Sequence, residues 1–192
     1  TGIGGKVTTA DLKAKKAAAA AEEPVAEPEY EEVELTNIRK NIAESMYNSL
    51  QSTAQLTLNT SFDCSEILDY RKKIKAQQEE MGLENITLND IILLAVSRTL
   101  LNHRKLNAHF HDNKIKLFQN VHLGMAVDTE RGLMVPTIFN ANLKSLNQIS
   151  AAAKKRIEEC KSGSINPDYL QGGTFTVTNL GTLDIESFTP VL

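Results

Sequence analysis

The chain has 192 residues, 41% hydrophobic and 23% charged, which is ordinary globular usage and excludes a collagen-like, coiled-coil or wholly disordered polymer. Aromatic residues make up 5% with no Trp, and the net charge is −3, so neither stacking on single-stranded bases nor attraction to nucleic acid or an anionic membrane is expected. The longest apolar run, Ile91 to Val96, is far short of the roughly 20 residues of a membrane-spanning helix, and the two cysteines, Cys64 and Cys160, are too few for a disulfide scaffold, which points to reduced thiols in a cytoplasmic protein.

Charge divides the chain: residues 1–34 carry net −4 and residues 35–192 net +1. Residues 1–12 (TGIGGKVTTADL) hold turn glycines, and Thr8 or Thr9 can cap a short helix. Residues 13–32 are an Ala/Glu/Pro stretch with no apolar period, read as a flexible linker. The folded domain is expected over 33–192. It opens with Thr36 or Asn37 as a cap and a helix whose Ile38, Ile42, Met46 and Leu50 share one face.

Leu56, Leu58 and Phe62 alternate with polar residues, the pattern of a half-buried strand, and Ser65 can cap a helix that carries Ile67 and Ile74 inward and stops near Gly82. Thr87 and Asp90 have capping-box spacing ahead of an apolar helix that belongs in the core. Asn107 to Phe118 predicts two short strands turned at Asp112–Asn113. Val121–Val127 and Leu133–Ile138 predict two more, joined by residues 128–132, with Pro136 requiring an edge or a bulge. Ser145 and Gln148 open a helix with Leu146, Ile149, Ala153, Ile157 and Cys160 inward and Gly163 beyond its end. Thr174, Thr176 and Thr178 then line one side of a strand whose other side holds Phe175 and Val177, before a turn at Asn179-Leu-Gly181.

Local chemistry is sparse. His109 and His111 would share a strand face, but no further ligand stands at metal spacing, and no metal site is expected. His103 can serve the carbonyls at the end of the apolar helix, and His122 merely begins a strand. Cys160 reads as a small buried hydrophobe, and Cys64 precedes a helix N-terminus without a His beside it in sequence. No Walker, Rossmann, zincin or nucleophile-elbow motif is present. Two stretches exceed core-building needs: Asp128 to Thr137, and the Thr-rich strand ending in Asn179-Leu-Gly181.

Taken in order, VELTNIRKNIAESMYNSL, then RKLNAHFHDNKIKLFQNVHLGMAVDTERGLMVPTI, then GGTFTVTNLGTLDIESFTPVL, residues 33–192 resemble the catalytic domain of dihydrolipoamide acyltransferases, the E2 components of 2-oxo acid dehydrogenase complexes. Residues 1–12 resemble the second half of a peripheral-subunit-binding domain. The resemblance implies an α/β (α+β) fold like that of chloramphenicol acetyltransferase, a mixed sheet flanked by helices, assembling as homotrimers that build a larger core. It implies acyl transfer, acetyl by the resemblance of TNLG to pyruvate-type members, between dihydrolipoyl-lysine on a separate lipoyl domain and coenzyme A as substrate, with E1 and E3 components as partners. Thr178 matches the family's hydroxyl donor in T-x-[ST]-N and is the expected catalytic residue. Asn179 and Gly181 would shape the turn beside it, while Asp128, Gly132 and Pro136 carry the family signature with no role assigned.

The family's general base is the His of an H-x-x-x-D-G motif, and none of His103, His109, His111 and His122 stands in one. The chain therefore reads as a fragment, its catalytic domain cut after Val191-Leu192 and inactive alone, with a non-catalytic core or E3-binding component as the alternative. Gln55 stands where many members have His, Lys6 where Arg is usual, and Ile3 where a basic residue is common.

Overall fold

The structure, a computed structural model, describes residues 5, 9–19 and 29–191. The expectations for Ile3, Lys6 and Thr8 lie outside the described residues. Two compact units are present, one of residues 1–56 with 190–192 and one of residues 57–189.

In the first unit α1 (Thr9–Ala19) runs well into the stretch expected to be linker, because Ala and Lys are strong helix formers and the prolines come later. Helix α2 (Asn37–Ser52) starts where Thr36 accepts the Arg39 N–H. Its apolar face forms as the period predicts, yet Ile38, Ile42, Met46 and Leu50 are all exposed.

The second unit opens with a correction. Residues 57–64 form neither helix nor strand, and Leu58 and Phe62 are 84% and 71% exposed; Leu56, at the end of the first unit, is exposed as well. Alternation supplies one face of a strand, not the partner that makes it one. Ser65 is not a cap either: it is the first residue of α3 (Ser65–Ala76), and its own N–H and hydroxyl donate to Asp63 Oδ1 at 2.9 and 2.7 Å. These bonds hold the Asp63 carboxyl below the usual carboxylate range. Ile67 and Ile74 are half-buried as expected, and Gly82, at φ +61°, ends the turns that follow.

Helix α4 (Leu88–Asn102) carries the capping box in full, with Asp90 N–H donating to the Thr87 hydroxyl and Thr87 N–H to Asp90 Oδ2. Past its end the His103 backbone N–H, not the side chain, bonds the Leu100 carbonyl. Helix α5 (Leu146–Ser162) begins with the Ser145–Gln148 box and stops at Gly163, φ +73°, with N–H bonds to the Cys160 and Glu159 carbonyls. The two helices pack together, and α5 also reaches the strands. Leu93, Leu100, Val121, Leu123, Ile138, Ile149, Ala153 and Cys160 form the core between them. Burial and the Glu159 charge push the Cys160 thiol up, so it is a neutral packing group.

β1 (Ala108–His111) and β2 (Lys114–Leu117) form the expected hairpin, with Asp112 and Asn113 at φ +49° and +58°, the two left-handed residues of a tight turn. The two strands expected across 121–138 are four. β3 (Leu123–Met125) pairs antiparallel with β6 (Thr137–Ile138), while β4 (Val127–Thr129) and β5 (Gly132–Met134) make a separate hairpin. The break has two causes: Ala126 N–H turns to the Val177 carbonyl at 3.2 Å, and Pro136 has no N–H with which to continue the ladder. β7 (Phe175–Val177) lies parallel to β3, giving a mixed sheet in the order β6–β3–β7 with β6 at an edge. Among the described residues no helix is long and apolar enough to cross a membrane.

Candidate active site

The parallel pair β3–β7 sets the geometry. Leu123, Gly124 and Met125 stand opposite Phe175, Thr176 and Val177, so Thr178 and Asp128 both lie past the carboxyl end of the pair. Pro136 belongs to the same end, since its carbonyl accepts the Met125 N–H at 2.9 Å and its ring is buried. Topology thus gathers three of the sequence-predicted residues. Gly132 does not join them: at φ +114° it closes the tip of the β4–β5 hairpin, where its carbonyl accepts the Thr129 hydroxyl at 2.7 Å.

Thr178 is half-buried, and its hydroxyl bonds no described residue. Asn179 Oδ1 accepts the Gly181 N–H at 2.9 Å, an Asx turn that bends the chain away immediately after Thr178. Gly124 explains why β7 can approach β3 as it does there: a Cβ on it would meet Val135 Cγ1 at 2.9 Å and Thr176 Oγ1 at 3.0 Å.

The row of threonine hydroxyls is not uniform. Thr174 precedes β7 and turns inward, buried, donating to Asn107 Oδ1 at 2.6 Å and accepting the His122 N–H at 3.0 Å. Asn107 in turn donates to the Phe118 and Asn120 carbonyls. This buried network holds the start of β7 and is invisible in the sequence, since Asn107 and Thr174 are 67 residues apart. His122 Nδ1 accepts the Asn140 N–H at 3.0 Å, and burial lowers its pKa from the ordinary 6.5. His109 Nε2 bonds the Gly173 carbonyl at 3.0 Å, and exposed His111 pairs with Asp112 at the hairpin tip. Among the described residues no His, Cys, Asp and Glu side chains gather into a group able to hold a metal ion. Gln55, in the first unit, is half-buried with Nε2 lacking a hydrogen-bond partner.

A family model for the 2-oxoacid dehydrogenases acyltransferase catalytic domain matches residues 27–192. The chain belongs to this family. The acyltransferase domain is similar to the dihydrolipoyllysine-residue acetyltransferase component of the acetoin cleaving system of Bacillus subtilis, 33% identical over the whole of this chain and 49% of that protein. It is also similar to the solved dihydrolipoamide acetyltransferase of Azotobacter vinelandii, a structure concerned with the roles of a serine, a histidine and an asparagine in catalysis. That match is 30% identical with a TM-score of 0.80, over 89% of this chain and 71% of that one. The cubic core of a pyruvate dehydrogenase multienzyme complex matches at 29% identity and a TM-score of 0.79, over the same shares. The chain spans half or less of the length of the relatives it matches in sequence. Its α/β (α+β) architecture is that of the solved acetyltransferase cores.

Proposed function

We propose that the complete protein transfers an acetyl group between dihydrolipoyl-lysine and coenzyme A within a 2-oxo acid dehydrogenase complex. The observation that carries this reading is Thr178: a half-buried residue whose hydroxyl has no partner among the described residues, past the carboxyl end of the parallel strand pair β3–β7, in a chain of the acyltransferase family. Dihydrolipoyl-lysine, carried on a lipoyl domain, presents the acyl group as a thioester.

A thiol of pKa about 8.5 is mostly protonated at neutral pH, so attack on that thioester needs a positioned base. None of the four histidines stands in the family's motif, and in this reading the imidazole comes from outside these 192 residues, so the piece alone is inactive. The Thr178 hydroxyl donates to the carbonyl oxygen as negative charge collects on it, where a donor held in place beforehand needs no reorganisation. Asn179 and Gly181 fix the turn that aims it, and Asp128, Gly132 and Pro136 shape the neighbouring hairpin and its return to the sheet.

The relatives' names support acetyl as the acyl group, although they come from an acetoin system and from pyruvate dehydrogenase complexes. The match to a cubic core supports assembly into a larger core, with the homotrimer as its proposed building unit. The reading keeps residues 1–12 as part of an E1- or E3-docking domain, 13–32 as the linker, 33–192 as the catalytic domain and the cytoplasm as its setting.

The test is Thr178→Ala in the complete protein. Removing one oxyanion donor lowers kcat by about 10²–10³ and leaves the KM for coenzyme A nearly unchanged, while Thr178→Ser retains turnover. Unaltered kcat in Thr178→Ala removes Thr178 from the mechanism. Absence of turnover in the unmodified complete protein favours instead a non-catalytic core component.

A further inference from the structure

Alternation along the parallel pair β3–β7 fixes what stands beside Thr178. A Cβ placed on Gly124 would lie 3.0 Å from Thr176 Oγ1, so positions 124 and 176 point to one face of the sheet. Their neighbours Met125 and Val177 point to the other, where both pack on the core. The ladder runs on for one more bond, from the Ala126 N–H to the Val177 carbonyl at 3.2 Å. Positions 126 and 178, two residues beyond 124 and 176, therefore share the face away from the core. Neighbouring strands are about 4.8 Å apart, and the side chain that adjoins Thr178 across that gap is the single methyl of Ala126.

Two layers of this face differ. At Gly124 the layer is closed: besides Thr176 Oγ1, Val135 Cγ1 would meet a Cβ there at 2.9 Å, so no side chain fits. At the next layer Ala126 and Thr178 are both half-buried, and pairing on the far flank has ended. The Met125 N–H donates to the Pro136 carbonyl at 2.9 Å, and two residues later the chain enters the β4–β5 hairpin at Val127. Close approach of the strands accounts for a glycine at 124. It does not account for an alanine at 126, where a Cβ is already carried and a pleated surface ordinarily favours a β-branched residue.

We propose that Ala126 sets the size of the acyl group that the site accepts. The inference rests on the transferase reading above and deepens it, from the atom that meets the thioester oxygen to the carbons that fit beside it. A carbonyl oxygen bonded to the Thr178 hydroxyl at about 2.7–2.8 Å has its carbon one bond further on, and the tail of the acyl group then lies over the Ala126 methyl. The closed layer at Gly124 stops the tail from going deeper. An alanine leaves space for a short acyl chain, and every methyl group added at position 126 takes that space from the tail. Residue 126 makes and breaks no bond; it acts through fit alone.

The experiment measures transfer from S-acetyl- and S-butyryl-dihydrolipoamide to coenzyme A by the complete protein and by Ala126→Val and Ala126→Gly, with thermal melts to check folding. In Ala126→Val the ratio of kcat/KM for acetyl to that for butyryl rises about tenfold, the low end of what one misfitted methylene costs, and in Ala126→Gly it falls. A ratio unmoved in both variants, with the two rates lowered equally, makes residue 126 a packing residue and overturns the proposal. Should Ala126→Val misfold, Ala126→Gly alone decides, because its shift has the opposite sign. Calorimetry with the same two thioesters, without coenzyme A, separates this inference from the transferase reading. If the parent binds both thioesters and transfers neither group, a tenfold shift in the ratio of their Kd values in Ala126→Val upholds the pocket. An unshifted ratio of Kd values, or no binding of either thioester to the parent, overturns it.

Discussion

Asp90 ties two helices together with a single carboxylate oxygen. Its Oδ2 accepts the Thr87 N–H at 2.8 Å, closing the cap of α4, and the Ser150 hydroxyl of α5 at 3.0 Å, and both Asp90 and Ser150 are buried. The capping box was legible from Thr87 and Asp90 alone. The tie to Ser150 was not, because 60 residues separate the partners and a serine among the alanines of α5 carries no sign of what it faces. Asp90→Ala leaves the Thr87 hydroxyl on the residue-90 N–H but takes the acceptor from the Thr87 N–H and strands the buried Ser150 hydroxyl, so it destabilises the protein by about 2–4 kcal/mol in urea unfolding. Ser150→Ala added to it loses less than its own single effect, since the bond is already gone. Additive losses in the double variant would show that the two side chains do not act as a unit.

At the scale of elements, His122 joins the entry to β3 to the turn after β6. Its Nδ1 accepts the Asn140 N–H, Asn140 holds a left-handed conformation at φ +51°, and the His122 ring meets Phe139 edge-on. Only the neutral ring can accept at Nδ1, and burial lowers its pKa. The unfolded chain therefore binds a proton near pH 6.5 that the folded chain takes up only at lower pH. This contribution to stability is complete above the unfolded value and is lost as pH falls through the window beneath it. Urea midpoints measured from about pH 7.5 down to about pH 5.5 fall more steeply for the parent than for His122→Gln; equal slopes would deny His122 the role. The sequence read His122 only as the start of a strand, and it read two strands where four exist, because which carbonyl Ala126 bonds depends on β7, some 50 residues later. Helices were legible for the opposite reason: their caps and periods are local. Thr178 was legible only through family resemblance, for a Thr at the end of a Thr-rich strand is otherwise plain β structure.

At the scale of the whole molecule, two segments among the described residues leave large apolar side chains uncovered. In the first unit α2 exposes Ile38, Ile42, Met46 and Leu50 along one face. In the second, the segment after residue 56 exposes Leu58 and Phe62, and its backbone pairs with no described strand. An unpaired segment of alternating apolar and polar residues can serve as a template for another chain or another segment of the same one, and an amphipathic helix with a bare face needs a cover for the same reason. Self-association of the complete protein is the expected cover, in keeping with the proposed trimer. Light scattering at micromolar concentration should give a mass of at least three chains. Leu58→Lys with Phe62→Lys, whose side chains are already in solvent here, should lower that mass while leaving the helical circular dichroism intact. Two results would count against assembly through this segment: a monomeric parent, or a double variant that assembles fully. Loss of helical signal together with mass would instead mark the segment as covered from within the same chain, and the same pair of measurements on Ile42→Lys and Met46→Lys reads the α2 face separately.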